Sequence, residues 1–590
     1  MENSANDVFD AIVIGSGVGG LSCAAALGMV GKKVLVLEQN APGGSQRTQT
    51  LIEGGKSRQI QIPTDVGGCM QTIAYDKWRW NLGLQYQAPF SCYIGPFYLR
   101  EAEIIPLMTD PPVKLRDLDV VYQRLHFPEF GDDAIYSIFS DGNKMKAYLI
   151  EQFPSQKSAI QRYWDYIDVT DKHTYLIMIT KVLPPFLAKF LFPKITKPLK
   201  SLLDRNYDQV LDELFDHSPE GVRVRAILNA YWDVLGMPPD INFLFWTMSD
   251  NQLFHGISVP EGGSESLVKG LIGTISKNGG ELRTGPEGTV EEILVDGHLR
   301  KKVTGVRLKD GSRISSDIVV STAGLPDTIG PLVEKRSVSP RVRKSLKEHI
   351  SVPSSLILRI GLDIDRDALA GMGVVEKTTY RRVTGRPWEF PTDPTAEGWV
   401  PDDVMVLFPT FYYTDPGDPT LQTVEVVHIT NYQKYFSKYT GPDDPAFKAA
   451  EARIIDVLRS HFETQFPALA GHIACMMLTS PMTLPEQIHH VESSMYGIDA
   501  YRTIDPMIQS RTGVCGFYLS GEDSFVNGVT VATGVITAAC IVVDECLRAA
   551  PKQLGRLLLD IPCLIVDLIK GNPSLKLPKR VREMLTGKSA

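Results

Sequence analysis

Three glycines and a carboxylate carry the clearest chemistry in this chain: Gly15-x-Gly17-x-x-Gly20, followed by Glu38. Gly15 suits a tight turn, Gly17 lets backbone approach a pyrophosphate, and Gly20 lets a helix pack closely on a strand. A helix starting here turns its N–H groups and positive dipole end toward phosphate. Glu38 is placed to accept hydrogen bonds from adenosine ribose hydroxyls, and its charge would repel a 2′-phosphate. FAD or NAD is therefore favoured over NADP. The elements that must hold these residues are legible around them. The apolar run Ala11 to Ile14 predicts a buried parallel strand, Leu21 to Val30 a small-residue helix, and Lys33 to Leu37 a second strand ending at Glu38. Together they form a βαβ nucleotide-binding unit.

One such unit is not a whole domain, and later segments predict the rest. Leu267 to Lys277 has helical spacing and stops at Asn278-Gly279-Gly280, a C-cap. Three strands are expected at Thr289 to Val295, Val303 to Leu308 and Ile314 to Val320, with Asp310-Gly311 turning the last pair. Ser321-Thr322-Ala323-Gly324 then offers small residues where backbone passes near a ligand. Near the end, Gly516 to Asp523 reads as a strand running into a loop. Asn527-Gly528-Val529 leads a helix from Thr530 to Cys546, which gives a second strand–glycine–helix site with an acidic tip.

From about Asp10 to Val543 the chain resembles the phytoene desaturase superfamily of FAD-dependent oxidoreductases, on the branch of carotenoid isomerases and retinol saturases. The motifs that carry the resemblance are Gly15 to Gly20 with Glu38, Pro42-Gly43-Gly44, Asp65-Val66-Gly67-Gly68, Pro260-Glu261-Gly262-Gly263-Ser264, the strands around Val290 and Asp310-Gly311, Asp418-Pro419 through Thr430, and Phe517 to Asp523. The resemblance implies FAD lying extended across the first domain. Gly15, Gly17 and Gly20 would face the pyrophosphate and Glu38 the adenosine ribose. Val290 would meet the adenine through its backbone. Gly521 and Asp523 would serve the ribityl or pyrophosphate, and Val529-Thr530 would open the helix that points at the flavin. The Gly43-Gly44 turn would approach the ring system. Two departures stand out: Ser45-Gln46 separate Gly43-Gly44 from Arg47, and Cys69 occupies a position where relatives often carry His.

The implied fold class is α/β: a glutathione reductase-like, Rossmann-type FAD-binding domain with an inserted α+β substrate domain. The expected division is FAD-binding at 1–81, 255–336 and 510–548, substrate-binding or membrane-facing at 82–254 and 337–509, and an amphipathic tail at 549–590. At 590 residues the chain exceeds one ordinary core. Its 43% apolar and 22% charged residues are those of a folded globular protein. A net charge of −8 without a polybasic region disfavours nucleic acid. Eight scattered cysteines show neither CxxC nor metal-ligand spacing, so no metal is expected and a reducing, intracellular compartment fits. Met1 to Asp7 lacks the character of a secretory signal.

The apolar stretch Thr174 to Phe192, continuing to Leu203, contains Lys181, Lys189 and Pro184-Pro185, which argues against a spanning helix. Phe186, Phe190, Leu191 and Phe192, interleaved with Lys189, Lys194, Lys197 and Lys200, instead suit a surface dipping into lipid headgroups. The tail, with Leu557-Leu558-Leu559 and basic residues at Lys576, Lys579, Arg580 and Arg582, is equally an interfacial anchor or a docked helix.

Trp78, Trp80, Tyr93, Phe97, Tyr98, Tyr231, Trp232, Phe243, Phe245, Trp246 and Met248 are candidates to line an apolar tunnel, although most aromatics are simply core. Flavin chemistry needs few charged catalytic groups. A proton partner, if used, would be His255 first, then His489 or His490; a lone His is more often structural. The expected activity is desaturation or saturation of C=C bonds in an apolar polyene or isoprenoid, such as a carotenoid or retinoid. Flavin-dependent cis–trans isomerisation, amine or amino-acid oxidation, prenyl-lipid binding without flavin, and NAD as sole cofactor remain as alternatives.

Overall fold

The computed structural model describes residues 8–549 except 45, 84–91, 95–96, 100, 119, 132, 235–240, 248–253, 299, 348–353, 373, 375–378, 384–391, 402, 410–420, 485–489, 495–508, 522 and 524–530. Two sheets dominate these residues. The first has five parallel strands in the order Glu281–Thr284, Val34–Glu38, Ala11–Ile14, Val319–Ser321 and Phe517–Leu519. In chain order that is third, second, first, fourth, fifth. The order therefore reverses between Ala11–Ile14 and Val319–Ser321, and a crevice opens at such a switch point, outside the carboxyl ends of the strands.

Every residue of Ala11–Ile14 and Val34–Glu38 is buried, as unbroken apolar runs in a sheet covered on both faces require. The helix Val18–Met29 (VGGLSCAAALGM) is buried along most of its length. Its small side chains admit two neighbouring helices, Ser264–Lys277 and Val531–Ala549. At Gly534 a Cβ would lie 2.0 Å from Ser22 Oγ and 2.4 Å from Cys23 N, so that crossing is backbone against backbone.

A three-stranded antiparallel sheet, Val290–Asp296, Lys302–Leu308 and Arg313–Ser315, stands between the third and fourth parallel strands. Here the structure corrects one expectation. Ile314 to Val320 is not a single strand: Arg313–Ser315 closes the antiparallel sheet and Val319–Ser321 enters the parallel one. The corner is fixed by Ser316 Oγ, which donates to Ile318 O at 3.0 Å and to Asp10 O at 3.2 Å.

The second sheet has nine strands, ordered Ile135–Phe139, Val121–His126, Thr379–Val383, Asp403–Leu407, Leu421–Thr430, Ser354–Asp363, Ile473–Thr479, Gln46–Glu53 and Lys56–Pro63. The Gln46–Pro63 hairpin belongs here, so the sheets do not respect a boundary drawn at residue 81. Its signal was present in the sequence: Gly54-Gly55 at φ +56° and +74° is the glycine pair a tight hairpin favours. One face of this sheet (Leu356, Leu358, Ile360, Val424, Val426) packs on the helix Pro445–Gln465 through Ile454, Leu458 and Phe462. Residues alternating with those, Arg359 and Glu425, face the other way and are both fully buried, 3.7 Å apart.

A helical layer is formed by Lys157–Val182, Pro185–Ile195, Tyr207–Leu214 and Pro219–Val234. Arg511 ties it to the parallel-sheet domain. Its guanidinium donates to Val182 O at 2.9 Å and Leu183 O at 3.0 Å while gripping Asp544 through Nε and Nη2. Phe243 stacks on Tyr207 and Trp246 packs beside it, all fully buried. Trp78 and Trp80 donate to Leu362 O and Ile360 O. These aromatics are core rather than tunnel wall. Tyr93, Phe97, Tyr98, Tyr231 and Trp232 have side chains outside the described residues, as has Met248.

Candidate nucleotide site

A cavity of about 360 Å³ opens at the switch point, lined on one side by Ile14, Gly15, Gly17, Val18 and Gly19 and on another by Leu37 to Asn40. Gly68 and Cys69, Gly288 and Val290, Thr322, Ala323 and Asp327, Pro331 and Leu332, His490 and Gly521 complete it. Of the residues predicted to bind cofactor, Gly15, Gly17, Glu38, Val290 and Gly521 thus converge on one space.

The glycines divide their work by geometry. Gly15 has φ +98°, and a Cβ there would sit 2.4 Å from Thr322 Oγ1. Gly20 stands behind the cavity, where a Cβ would lie 2.1 Å from Gly15 O, so it sets the distance from helix to strand. Gly17 has open space where its Cβ would be, as does Gly521 at φ +102°. A Cβ on Gly19 would meet Gly521 at 3.0 Å, so the two glycine sites touch through backbone.

Ser16 is the organising side chain that the sequence reading missed. Its Oγ donates to Glu38 Oε2 at 2.6 Å and accepts from Gly67 N at 2.9 Å, joining the first loop, the second strand and the Asp65–Gly68 motif. Glu38, only 8% exposed, also accepts from Ser16 N and Asn40 N, both at 2.8 Å. A carboxylate has about four acceptor positions, so capacity remains for ribose hydroxyls.

Asp523 reaches across to the fourth strand's loop, where its Oδ2 accepts from Leu325 N. Asp327 was not foreseen. Burial raises its carboxyl pKa, the His490 charge works in the opposite direction, and Asp523 reinforces the rise. Gly43 and Gly44 form an exposed turn beyond Asn40, outside the cavity lining, and Arg47 lies in the strand Gln46–Glu53 paired with Ile62. Val529, Thr530 and His489 lie outside the described residues. His255 pairs with Asp141 in a β-bridge and lies 3.8 Å from Asp171, away from the lining. Among the described residues, no cluster of His, Cys, Asp or Glu is arranged to hold a metal ion.

The residues present fit a dinucleotide. A backbone cradle that a Cβ would fill, a helix N-terminus behind it and a fixed carboxylate at the second strand suit pyrophosphate and ribose. The adjoining three-stranded sheet brings Val290 to the same cavity.

Comparison with known proteins agrees. Residues 13–63 match the model of the NAD(P)-binding Rossmann-like domain. All-trans-retinol 13,14-reductase of Danio rerio is 22% identical over 576 residues, spanning 93% of this chain and 88% of its own. Phytoene desaturase of Fusarium fujikuroi is 27% identical over 349 residues, 56% of this chain and 52% of its own. Among solved structures, an oxidoreductase from Methanosarcina mazei superimposes with a TM-score of 0.54 at 15% identity, covering 91% of this chain and all of that one. Fold, cavity and similarity define an oxidoreductase with a Rossmann-type FAD-binding domain. Within that class the curated relatives it is similar to are retinol 13,14-reductases, a prolycopene isomerase and phytoene desaturases, in keeping with the phytoene desaturase-like superfamily.

Proposed function

We propose that this protein is an FAD-dependent oxidoreductase that desaturates or saturates C=C bonds of an apolar polyene or isoprenoid, such as a carotenoid or retinoid, while docked on an intracellular membrane. The carrying observation is the meeting of both glycine sites with Glu38 and Val290 in one cavity, in a chain similar along 93% of its length to a retinol reductase. Bound flavin supplies hydride exchange at its ring. The chain's part is to hold the nucleotide end through Gly17, Gly521 and Glu38, with the nine-stranded sheet alongside.

The lipid-docking reading rests on the helix Pro185–Ile195. Phe186 and Phe190, one turn apart, are 65% and 61% exposed. Lys189, Lys194, Lys197 and Lys200 are exposed around them, with Lys194 Nζ 3.9 Å above the Phe190 ring. Phe192, expected on the same surface, is buried, because two residues along a helix turn it about 200° away from Phe190; Lys181, in the preceding helix, is buried as well. No acidic residue occurs from Leu183 to Leu203. Among the described residues, no helix is long and apolar enough to cross a membrane.

The test is an absorbance spectrum of the purified protein, followed by anaerobic addition of retinoids and carotenoids. Bleaching of the flavin band by a polyene supports desaturation. Loss of polyene absorbance on pre-reduced protein, with product mass up by two hydrogens, supports saturation, whereas a product of unchanged mass indicates isomerisation. Failure to bind FAD on reconstitution would sink the proposal.

A further inference from the structure

His490 comes from the chain that follows the nine-stranded sheet, yet its side chain lines the nucleotide cavity. The turn that delivers it is conformationally unusual. Glu492 and Ser493 are successive non-glycine residues in the left-handed region, at φ 56° and 57°; among the described residues only Asp76 shares that property. Such backbone persists where surrounding contacts over-determine it, and these cluster at functional sites. Here Ser493 is fully buried, its Oγ donates to Pro481 O, its carbonyl accepts from Ser354 Oγ at 2.7 Å, and its N–H donates to His490 O at 3.1 Å. Gln433 holds Glu492 from the side.

The imidazole itself is oriented. Nδ1 lies 2.9 Å from Ser494 O, and a carbonyl only accepts, so Nδ1 carries hydrogen and any second proton enters at Nε2. The charge around it is one-sided. Glu38 closes the second strand, Asp327 lies on the short helix Leu325–Thr328, and Asp523 follows the fifth strand. Cys69, in the short helical turn Gly68–Met70, also lines the cavity, Glu492 is on the same turn as His490, and Lys335 packs beside Gly330 outside the lining. Among the described lining residues His490 is the sole basic side chain. A dianionic pyrophosphate entering beside these carboxylates meets a matching charge only if His490 is protonated.

We propose that His490 is a cofactor-binding residue, its imidazolium facing the anionic span of the nucleotide with Asp327 as counter-ion. The inference rests on the FAD reading above. It makes FAD binding take up a proton, and it links cofactor retention to the seating of the His490 turn on the strand Ser354–Asp363.

The experiment is a flavin-fluorescence titration of protein stripped of cofactor, from about pH 6 to 8.5, using FAD and, as probe without pyrophosphate, riboflavin. In the unsubstituted protein the FAD Kd should rise toward about tenfold per pH unit where His490 gives up its proton, and riboflavin should show no such slope. His490→Gln should bind FAD about tenfold more weakly at the acid end and lose the slope. His490→Lys should bind tightly with no slope, which also guards against a His490→Gln variant that merely folds poorly. A slope retained by His490→Gln, or shared by riboflavin, overturns the assignment. Unsubstituted protein that binds FAD at no pH overturns the FAD reading itself.

Discussion

Replacing Gly17 by alanine adds one methyl group in front of the first helix and should leave the apoprotein nearly untouched. Gly17 already has φ −61° and ψ 170°, a conformation open to any residue, and its Cβ would meet nothing within 4 Å. The fold cost is a poorer N-cap, about 0.5–1 kcal/mol. The methyl, however, stands in the lining of the cavity proposed to take the pyrophosphate. Losing two charge-assisted hydrogen bonds from the helix N-terminus, at about 1.5–3 kcal/mol each, totals about 3–6 kcal/mol, or about 10²- to 10⁴-fold in Kd. The same methyl at Gly20 has the opposite signature. Its Cβ would start 2.1 Å from Gly15 O. Helix and loop must then part by about 1 Å in a close-packed interior, and overpacking against rigid backbone costs about 3 kcal/mol. The assay is a thermal melt of each apoprotein by circular dichroism beside an FAD titration by flavin fluorescence. Gly17→Ala should melt within a few degrees of the parent and bind FAD at least about 100-fold more weakly; Gly20→Ala should melt several degrees lower. A Gly17→Ala protein with parental FAD affinity would refute the assignment of this cavity to the cofactor.

Two further outcomes follow from other parts of the molecule. Substituting Phe186 and Phe190 together by Asp should abolish co-sedimentation with anionic vesicles: it removes about 2–4 kcal/mol of apolar burial and opposes lysines worth about 1 kcal/mol each near the surface. Binding unchanged by the double substitution, or insensitive to salt, would exclude this helix as the docking face. Glu425→Gln should destabilise the protein by about 3–5 kcal/mol in urea unfolding, because it removes the charge opposite a fully buried Arg359. Restoring the loss with Arg359→Met plus Glu425→Leu would identify charge, not shape, as the cause.

The nucleotide half was legible where its signals are local. Ala11 to Glu38 carries a strand, turn, helix and strand within one short window, and Gly15, Gly19 and Gly20 each answer to a close neighbour where a Cβ would not fit. What the sequence reading missed depends on distant chain. Ser16 looks like filler in Gly15-x-Gly17 until the fold brings Glu38 and Gly67 to its hydroxyl. Asp327 is the second miss: it shares a cavity with His490, which the sequence reading offers only as a candidate proton partner, across 163 residues, 490 less 327, and no periodicity marks it. The run Ile314 to Val320 misled because apolar character is needed equally by the two sheets it serves, and the corner at Ser316 shows only in hydrogen bonds. The aromatic set misled for a related reason: Trp and Phe meet the demands of a packed interior as readily as those of a tunnel. Phe186 and Phe190 were legible because lysines alternate with them.

The parallel sheet also sets a timetable. Its central strand, Ala11–Ile14, is made long before its fifth, Phe517–Leu519. At about 5–20 residues per second, the opening strands wait roughly 25–100 s for the strand that closes the edge beside Val319–Ser321. Throughout that interval the nascent chain offers unpaired strand edges to whatever it meets, and the cradle lacks Gly521 altogether. On the proposed reading, cofactor loading therefore waits until Gly521 has been made. In a cell making this protein quickly, the supply of flavin and the protection of those edges would set the yield of holoprotein as firmly as the rate of synthesis does.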